Sequence, residues 1–257
     1  MKFILITLFA LTSLTALSEI PKEAYQACDK GEVDVCSDIA DVFDEGLDGY
    51  AIDYAKAAEY YTKACDLNDG YSCRVLGYYY DAALGVGEDK VKAFELYTKG
   101  CELKDSYACY NLGVSYDEGE GVKLDYKKAH KYYTMACDED EAIACANLGY
   151  LYKKGNGVKK NNKKAIAHFT KSCELDDEIG CRALGVMYDT GTGVKKDKKK
   201  ANKYYAQACD NDEKTACYNL GINYEYGDGV KEDKEKAALL YEKSCDLGHE
   251  KACNGVD

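Results

Sequence analysis

The chain has 257 residues and a formal net charge of −12, with 46 acidic residues against 34 basic ones. An acidic balance of this size argues against nucleic acid as the main partner. The composition also stands out for its 14 cysteines, 25 tyrosines and single proline. An even number of cysteines indicates disulfides rather than metal ligation if the chain is exported.

The first eighteen residues predict export. Lys2 precedes an apolar stretch, Phe3 to Leu17, which is too short to span a bilayer comfortably. The stretch ends in the small residues around Ser18, which is typical of a secretory signal peptide cleaved at this point. We therefore expect a periplasmic or secreted protein that begins at Glu19, meets an oxidising environment and has no membrane span.

The cysteines form seven pairs of identical C-x7-C spacing, and the pairs advance by 37 residues once and then by 36. A fixed period of this length predicts a stacked-repeat solenoid. Because every repeat copies one unit, we expect the same local disulfide in each, with zinc ligation or free thiols as the alternatives. Zinc-binding cysteines are usually separated by two to four residues, which this spacing does not match. The expected bonds are Cys28–Cys36, Cys65–Cys73, Cys101–Cys109, Cys137–Cys145, Cys173–Cys181, Cys209–Cys217 and Cys245–Cys253.

One copy of the repeat, Cys109 to Cys137, shows the internal plan. Apolar residues at helical spacing predict a first helix through Tyr116. The glycines of the loop 119–122 break that helix, and Asp125 is the expected N-cap of a second helix. Each copy is therefore predicted to be a helical hairpin.

A glycine recurs in the middle of the first helices, for example at Gly113 and Gly149. Glycine inside a helix costs roughly 1 kcal/mol relative to alanine. Its recurrence predicts that two helix backbones cross closely there, against the small alanines of the second helix. The first copy departs from this rule, because Ile39-Ala40 replaces Leu-Gly and its loop is one residue longer.

These motifs resemble the Sel-one-like repeat, a relative of the tetratricopeptide repeat. The resemblance rests on Leu-Gly-x-x-Tyr, Gly-x-Gly-Val, Asp and Lys-Ala-x-x-Tyr, which occupy residues 112–132 in the copy described above. The C-x7-C pair in every copy, with the predicted signal peptide, is similar to the Helicobacter cysteine-rich protein family. The resemblance implies an all-α, right-handed αα-hairpin solenoid, a tetratricopeptide-like superhelix with one disulfide per repeat.

The resemblance also divides the chain. A capping segment, 19–33, follows the signal peptide, 1–18. Six helix-pair repeats then occupy 34–246, and a truncated repeat or cap ends the chain at 247–257. We expect the protein to be a monomer.

A candidate binding row lies on the predicted first helices. In tetratricopeptide-like solenoids these helices line the concave face, where an asparagine commonly clamps peptide backbone. The resemblance therefore implies ligand binding by Asn111, Asn147 and Asn219. Arg74 and Arg182 replace them in copies that lack the asparagine, and arginine can bind a carboxylate through two hydrogen bonds. The alternative is that each asparagine bonds only to the adjacent helix.

Two functions stay open. The first is a scaffold that holds a peptide, protein or envelope ligand on its concave face. The second follows from the resemblance alone: a weak β-lactamase or penicillin-binding protein that acts on a β-lactam or a peptidoglycan-related molecule. No serine-lactamase or zinc motif appears, so no catalytic residue, metal or cofactor is assigned.

Lysine clusters around Lys163 and Lys199 are either a solvated face or a patch for an anionic partner. His168 is interpreted as a packing substitute for a repeat tyrosine.

Overall fold

A computed structural model describes residues 19–253, so the predicted signal peptide lies outside the described residues. Within residues 19–253 every regular element is a helix and no strand occurs. The chain divides into two compact units, residues 1–89 and 90–257. The all-α, hairpin-repeat prediction is therefore confirmed.

Over its described residues, 19–89, the first unit contains four helices and one short 3₁₀ turn. Consecutive helices pack on each other, which places each second helix between two first helices. The extra residue of the first loop lies in the 3₁₀ turn, Leu47–Gly49. The helices are α1 (Lys22–Asp29), α2 (Val33–Glu45), α3 (Tyr54–Asp66) and α4 (Gly70–Ala82).

The second unit continues the same alternation of first and second helices. All of its helices except the last are thirteen residues long. They are α5 (Lys90–Glu102), α6 (Ser106–Glu118), α7 (Tyr126–Asp138), α8 (Ala142–Lys154), α9 (Asn162–Glu174), α10 (Glu178–Thr190), α11 (Lys198–Asp210), α12 (Lys214–Tyr226), α13 (Lys234–Asp246) and α14 (Glu250–Cys253).

Local chemistry sets the helix ends, as the sequence predicts. The Asp125 carboxylate accepts hydrogen bonds from the backbone N–H groups of Lys127 and Lys128, at 3.0 and 3.2 Å, and so caps α7. At the end of α6, Gly119 takes a left-handed conformation with φ of 77°. This conformation is the one that favours glycine at a helix C-terminus.

All seven expected disulfides are present, and no cysteine among the described residues is free. Their Cα–Cα distances run from 4.5 Å for Cys101–Cys109 to 4.8 Å for Cys137–Cys145. Each bond joins a second helix to the next first helix across a short turn, so it fastens one repeat to its successor. Zinc and free thiols, the alternatives left open above, are thereby excluded for these residues.

A lysine adds a second link between repeats of the second unit. The Lys171 ammonium on α9 donates to the carbonyl oxygen of Cys137 at 2.6 Å and pairs with Asp140 at 2.8 Å. Two repeats later, Lys243 on α13 makes the same two contacts, with the carbonyl oxygen of Cys209 at 2.7 Å and with Asp212 at 2.9 Å. A cation is favourable at these positions because the carbonyl groups at a helix C-terminus carry partial negative charge.

The mid-helix glycines correct one prediction. A Cβ atom on Gly113 would lie 2.6 Å from Cδ1 of Tyr133, and one on Gly149 would lie 2.5 Å from Cε1 of Phe169. The space beside each glycine is filled by an aromatic ring of the second helix, rather than by the predicted crossing of two backbones against an alanine. The missing side chain makes room for a ring that is almost fully buried in the core.

Candidate ligand-binding face

The first helices of the second unit present one repeated set of half-buried side chains. We call this surface the first-helix face and define it by the exposed sides of α6, α8, α10 and α12. Four apolar residues follow it at a spacing of one repeat, and polar residues stand beside them. The apolar row consists of Val114, Tyr150, Val186 and Ile222.

The predicted binding residues of this unit lie on the same helices. Asn111, Asn147, Arg182 and Asn219 are all half-buried, on α6, α8, α10 and α12 in turn. Arg74 belongs to α4 in the first unit, where its guanidinium lies 5.0 Å from the ring centroid of Tyr71. Ligand binding by these five residues stays a prediction. The contacts of each residue within the protein determine which of its hydrogen-bonding groups remain available to a ligand.

Asn147 takes part in a hydrogen-bond cluster that sequence reasoning missed. The Tyr133 hydroxyl on α7 donates to Oδ2 of Asp117 on α6 at 3.3 Å. Burial, the Asp117 charge and the donation to Asp117 raise the pKa of Tyr133, whereas a hydrogen bond with the Asn147 amide acts to lower it. The cluster therefore joins α6, α7 and α8 through one tyrosine.

The same cluster recurs two repeats later. Burial and the charge of Asp189 on α10 raise the pKa of Tyr205 on α11, and the Asn219 amide on α12 acts to lower it, as Asn147 does for Tyr133. The carboxylate precedes the tyrosine by sixteen residues and the asparagine follows it by fourteen, as in the first cluster. Asn147 and Asn219 therefore each interact with a tyrosine of an adjacent helix, as the alternative to ligand binding expects.

The intervening repeat breaks the pattern at all three positions. Lys153 stands where the carboxylate would be, Phe169 replaces the tyrosine, and Ala183 replaces the asparagine. Phe169 is fully buried and packs edge-on against Tyr150, with ring centroids 5.0 Å apart. The hydrogen-bond cluster has no counterpart here, and a cation replaces an anion on the first-helix face.

Arg182 lies directly beside this exception. Its guanidinium donates to the Tyr150 hydroxyl at 3.2 Å, and its Nε lies 3.2 Å from Oε1 of Glu213. Glu213 also accepts from the backbone N–H of Ala216 at 2.5 Å, which caps α12. Arg182 is therefore held in place by two helices rather than extended into solvent.

Lys153 has no such anionic partner. Its ammonium lies 5.8 Å from the centroid of the Tyr150 ring. Burial lowers the pKa of Lys153, and the nearby charges of Arg182 and Lys154 lower it further. Among the described residues none forms an ion pair with Lys153, so two cations contact Tyr150 while the carboxylate of Glu213 pairs with Arg182 only.

Family comparison assigns the repeats. The Sel1 repeat model matches residues 34–69, 70–105, 106–141, 142–177, 179–213 and 214–249. The chain belongs to the Sel1 repeat family. The resemblance identified from the sequence is thereby confirmed. No curated protein sequence matches this chain.

Solved structures show the same fold in other Sel1 proteins. A protective antigen of uropathogenic Escherichia coli with an SLR fold is 27% identical, with a TM-score of 0.81 over 91% of this chain and 50% of that one. This chain thus spans half the length of that relative. A Sel1 repeat protein from Oxalobacter formigenes is 27% identical, with a TM-score of 0.76 over 86% of both chains. Cysteine rich protein B of Helicobacter pylori is 39% identical over 52% of this chain and 96% of its own, with a TM-score of 0.43.

The lysine clusters on the second Sel1 helices are partly engaged within the protein. Lys198 pairs with Asp189 at 2.5 Å and with Asp228 at 3.1 Å. The ammonium groups of Lys164 and Lys200 lie 5.0 and 5.2 Å from tyrosine ring centroids of their own repeats. These contacts favour a structural role over a patch for an anionic partner.

Two further expectations concern metals and membranes. Within residues 19–253 no group of three or more histidine, cysteine, aspartate or glutamate side chains is arranged to hold a metal ion. No described helix is both long enough and apolar enough to cross a bilayer.

Two of the three histidines contact the same tyrosine. His168 stacks on Tyr152 with centroids 5.3 Å apart and planes 5° apart, and His130 Nε2 lies 3.0 Å from the Tyr152 hydroxyl. Tyr132 stacks on Tyr116 in the same way one repeat earlier, which supports the interpretation of His168 as a packing substitute.

This contact predicts a pH effect on stability. Burial lowers the pKa of His168, as do the charges of His130 and Lys164, while Asp138 acts weakly in the other direction. A lowered folded-state pKa stabilises the protein above the ordinary histidine pKa of 6.5, and this stabilisation is lost as the pH falls toward the lowered value. We expect the urea midpoint to fall less between pH 7 and pH 5 in His168→Tyr than in the wild type.

The control for this measurement is His249→Tyr, at a histidine that stacks on Tyr218 at the far end of the unit. That variant should keep the pH dependence caused by His168. An unchanged pH dependence in His168→Tyr would contradict the prediction.

Proposed function

We propose that the protein is a secreted or periplasmic scaffold that binds an extended segment of another protein along the first-helix face. The observation that carries this proposal is the row of half-buried apolar residues at one-repeat spacing, with amides and an arginine beside it. Sel1 repeats generally mediate protein–protein interaction. The seven disulfides support an oxidising compartment outside the cytoplasm.

The clustered asparagines keep the capacity to bind. An asparagine side chain has two N–H donors and one carbonyl acceptor. The tyrosine beside each asparagine, Tyr133 for Asn147 and Tyr205 for Asn219, occupies at most one of these groups. The remaining N–H and carbonyl group match the acceptor and donor of one peptide unit. The tyrosine bond also fixes the amide, which lowers the entropy lost on binding.

Spacing along the face suits an extended ligand. Helices that pack together lie about 8–10 Å apart. An extended chain advances about 3.3 Å per residue, so roughly three ligand residues correspond to one repeat. A segment of about ten residues would reach α6, α8, α10 and α12 together.

The β-lactam hydrolase implied by the resemblance has no support among the described residues. The Ser172 hydroxyl does contact a carboxylate, Oδ2 of Asp177, at 2.5 Å. Ser172 is fully buried, however, and the same oxygen accepts from the backbone N–H of Gly180 to cap α10. This pair is part of a helix cap and is closed to a substrate.

A peptide selection tests the scaffold proposal. A library of random twelve-residue peptides is selected on the oxidised protein, and the affinity of enriched peptides is then measured on variants. Val114→Ser with Ile222→Ser should weaken binding about tenfold or more, because each change removes roughly 1 kcal/mol of apolar contact.

The matched control changes apolar residues outside the face. Met135 on α7 and Leu239 on α13 are 40% and 65% exposed and lie on second helices. Met135→Ser with Leu239→Ser should leave the affinity unchanged. Equal affinity for both double variants would place the binding site elsewhere, and failure to enrich any peptide would contradict the proposal as a whole.

A further inference from the structure

We propose that Lys153, Tyr150 and Arg182 form a subsite for one carboxylate of the bound protein segment. This inference rests on the proposed function, because the subsite lies within the first-helix face. It goes further in naming the chemistry of the partner: an acidic residue at one defined position of the segment. The observations that carry it are the reversal of charge in one repeat and the absence of an anion for Lys153 inside the protein.

The reversal of charge is confined to one repeat of the unit. The position of Lys153 is occupied by Asp117 one repeat earlier, by Asp189 one repeat later and by Glu225 after that. Asp117 and Glu225 accept hydrogen bonds from tyrosine hydroxyls of the following second helices, and the Asp189 charge raises the pKa of Tyr205 on its following helix. Phe169 stands where the tyrosine of the cluster would be and has no hydroxyl group, so the Lys153 ammonium has no role in an internal cluster.

Stability does not account for this arrangement. A half-buried cation beside a second cation is unfavourable unless an anion compensates for both. Glu213 lies against Arg182 alone, at 3.2 Å from its Nε. A carboxylate from outside that contacts Lys153 and Arg182 would supply the missing charge, and the Tyr150 ring between the two cations would orient them.

The flanking charges define the rest of the partner. Asp117 and Glu118 lie one repeat before Lys153, and Asp189 and Glu225 lie on the repeats after it. Asp189 already pairs with Lys198, so the negative charge that remains next to the subsite lies on the side of Asp117 and Glu118. With roughly three ligand residues per repeat, the complementary segment has an acidic residue with lysine or arginine about three positions away on that side.

The peptide selection described above provides the test when it is repeated on Lys153→Gln. Peptides enriched on the wild type should carry aspartate or glutamate at one shared position. In one such peptide, replacing that residue by its amide should weaken binding to the wild type about tenfold, because a charge-assisted hydrogen bond is roughly twice as strong as a neutral one. On Lys153→Gln the preference for the acid over the amide should become clearly smaller, with the remainder supplied by Arg182.

Controls separate the subsite from the scaffold and from the fold. Lys203→Gln, at an exposed lysine on α11, should keep the full preference for the acid. The melting temperature of Lys153→Gln should not fall, since the lysine makes no internal ion pair. A version of the peptide that ends at the acidic position, with either a free or an amidated C-terminus, distinguishes a chain-terminal carboxylate from a side-chain one.

The outcomes are distinct. Enrichment without an acidic preference would overturn the subsite while leaving the scaffold proposal in place. An acidic preference as large on Lys153→Gln as on the wild type would also overturn it, as would a large fall in melting temperature, which would make Lys153 a structural residue. Failure to enrich any peptide would remove the scaffold proposal and the subsite with it.

Discussion

Replacing Cys137 and Cys145 together by serine is expected to lower the free energy of unfolding by about 2.5 kcal/mol. The bond closes a loop of about nine residues, and loop closure of this length removes about that much entropy from the unfolded chain. It joins α7 to α8 inside the second unit, where α8 also packs on α9 and α10. Since each repeat contacts only its neighbours, the loss should appear as faster amide exchange in α7, α8 and α9.

The matched variant breaks Cys245–Cys253, the last bond of the chain. That bond fastens α14, which contacts α13. We expect faster exchange in α13 and α14 only, with α7 and α8 still protected. Hydrogen exchange measured residue by residue on both variants checks this contrast. Equal loss of protection throughout the second unit in both variants would mean that it unfolds as one cooperative block.

The fold was predictable because its strongest signals are local and repeated. The C-x7-C pair, the Asp125 cap and the Gly119 helix end each involve residues less than ten positions apart. A departure from the motif in one repeat does not hide the pattern, because the other repeats still show it. The partner of Gly113 was predicted wrongly because it lies twenty residues away, and only the packing of two helices decides that a Tyr133 ring fills the space.

The candidate face was predictable in position but not in chemistry. The repeat spacing places Asn147 and Arg182 on first helices, where the structure also has them. That Asn147 bonds to Tyr133 depends on contacts between three helices. A sequence signal was nevertheless present: Lys153, Phe169 and Ala183 change together, at offsets of sixteen and fourteen residues, in the copy that lacks the cluster.

The loops that follow the first helices are constrained both by their backbone conformation and by close contact with the preceding repeat. Gly157 has φ of +67°, a conformation that side chains other than glycine rarely adopt. A Cβ atom there would also lie 2.5 Å from the carbonyl carbon of Tyr126, the first residue of α7 in the preceding repeat. The loop of one repeat thus rests directly on the backbone of the repeat before it.

Gly157→Ala is therefore expected to lower the free energy of unfolding by about 3 kcal/mol. The left-handed conformation costs a non-glycine residue roughly 1–2 kcal/mol, and displacement of packed backbone adds about 1–3 kcal/mol. Urea unfolding followed by circular dichroism measures the change. The seven disulfides remain in place in this variant, so a loss of this size would show that contact between repeats stabilises the stack independently of its covalent links.

The control for this substitution is Gly87→Ala, in the corresponding kind of loop of the first unit. A Cβ atom on Gly87 would meet no other atom within 4 Å, and its φ lies outside the left-handed range. Alanine at a compatible glycine position stabilises a protein by roughly 0.4–1 kcal/mol, because the unfolded chain loses conformational freedom. The two substitutions are chemically identical and should have opposite signs. If Gly157→Ala were as harmless as Gly87→Ala, the loop would have to move away from Tyr126 freely, and the close contact between repeats would contribute nothing to stability.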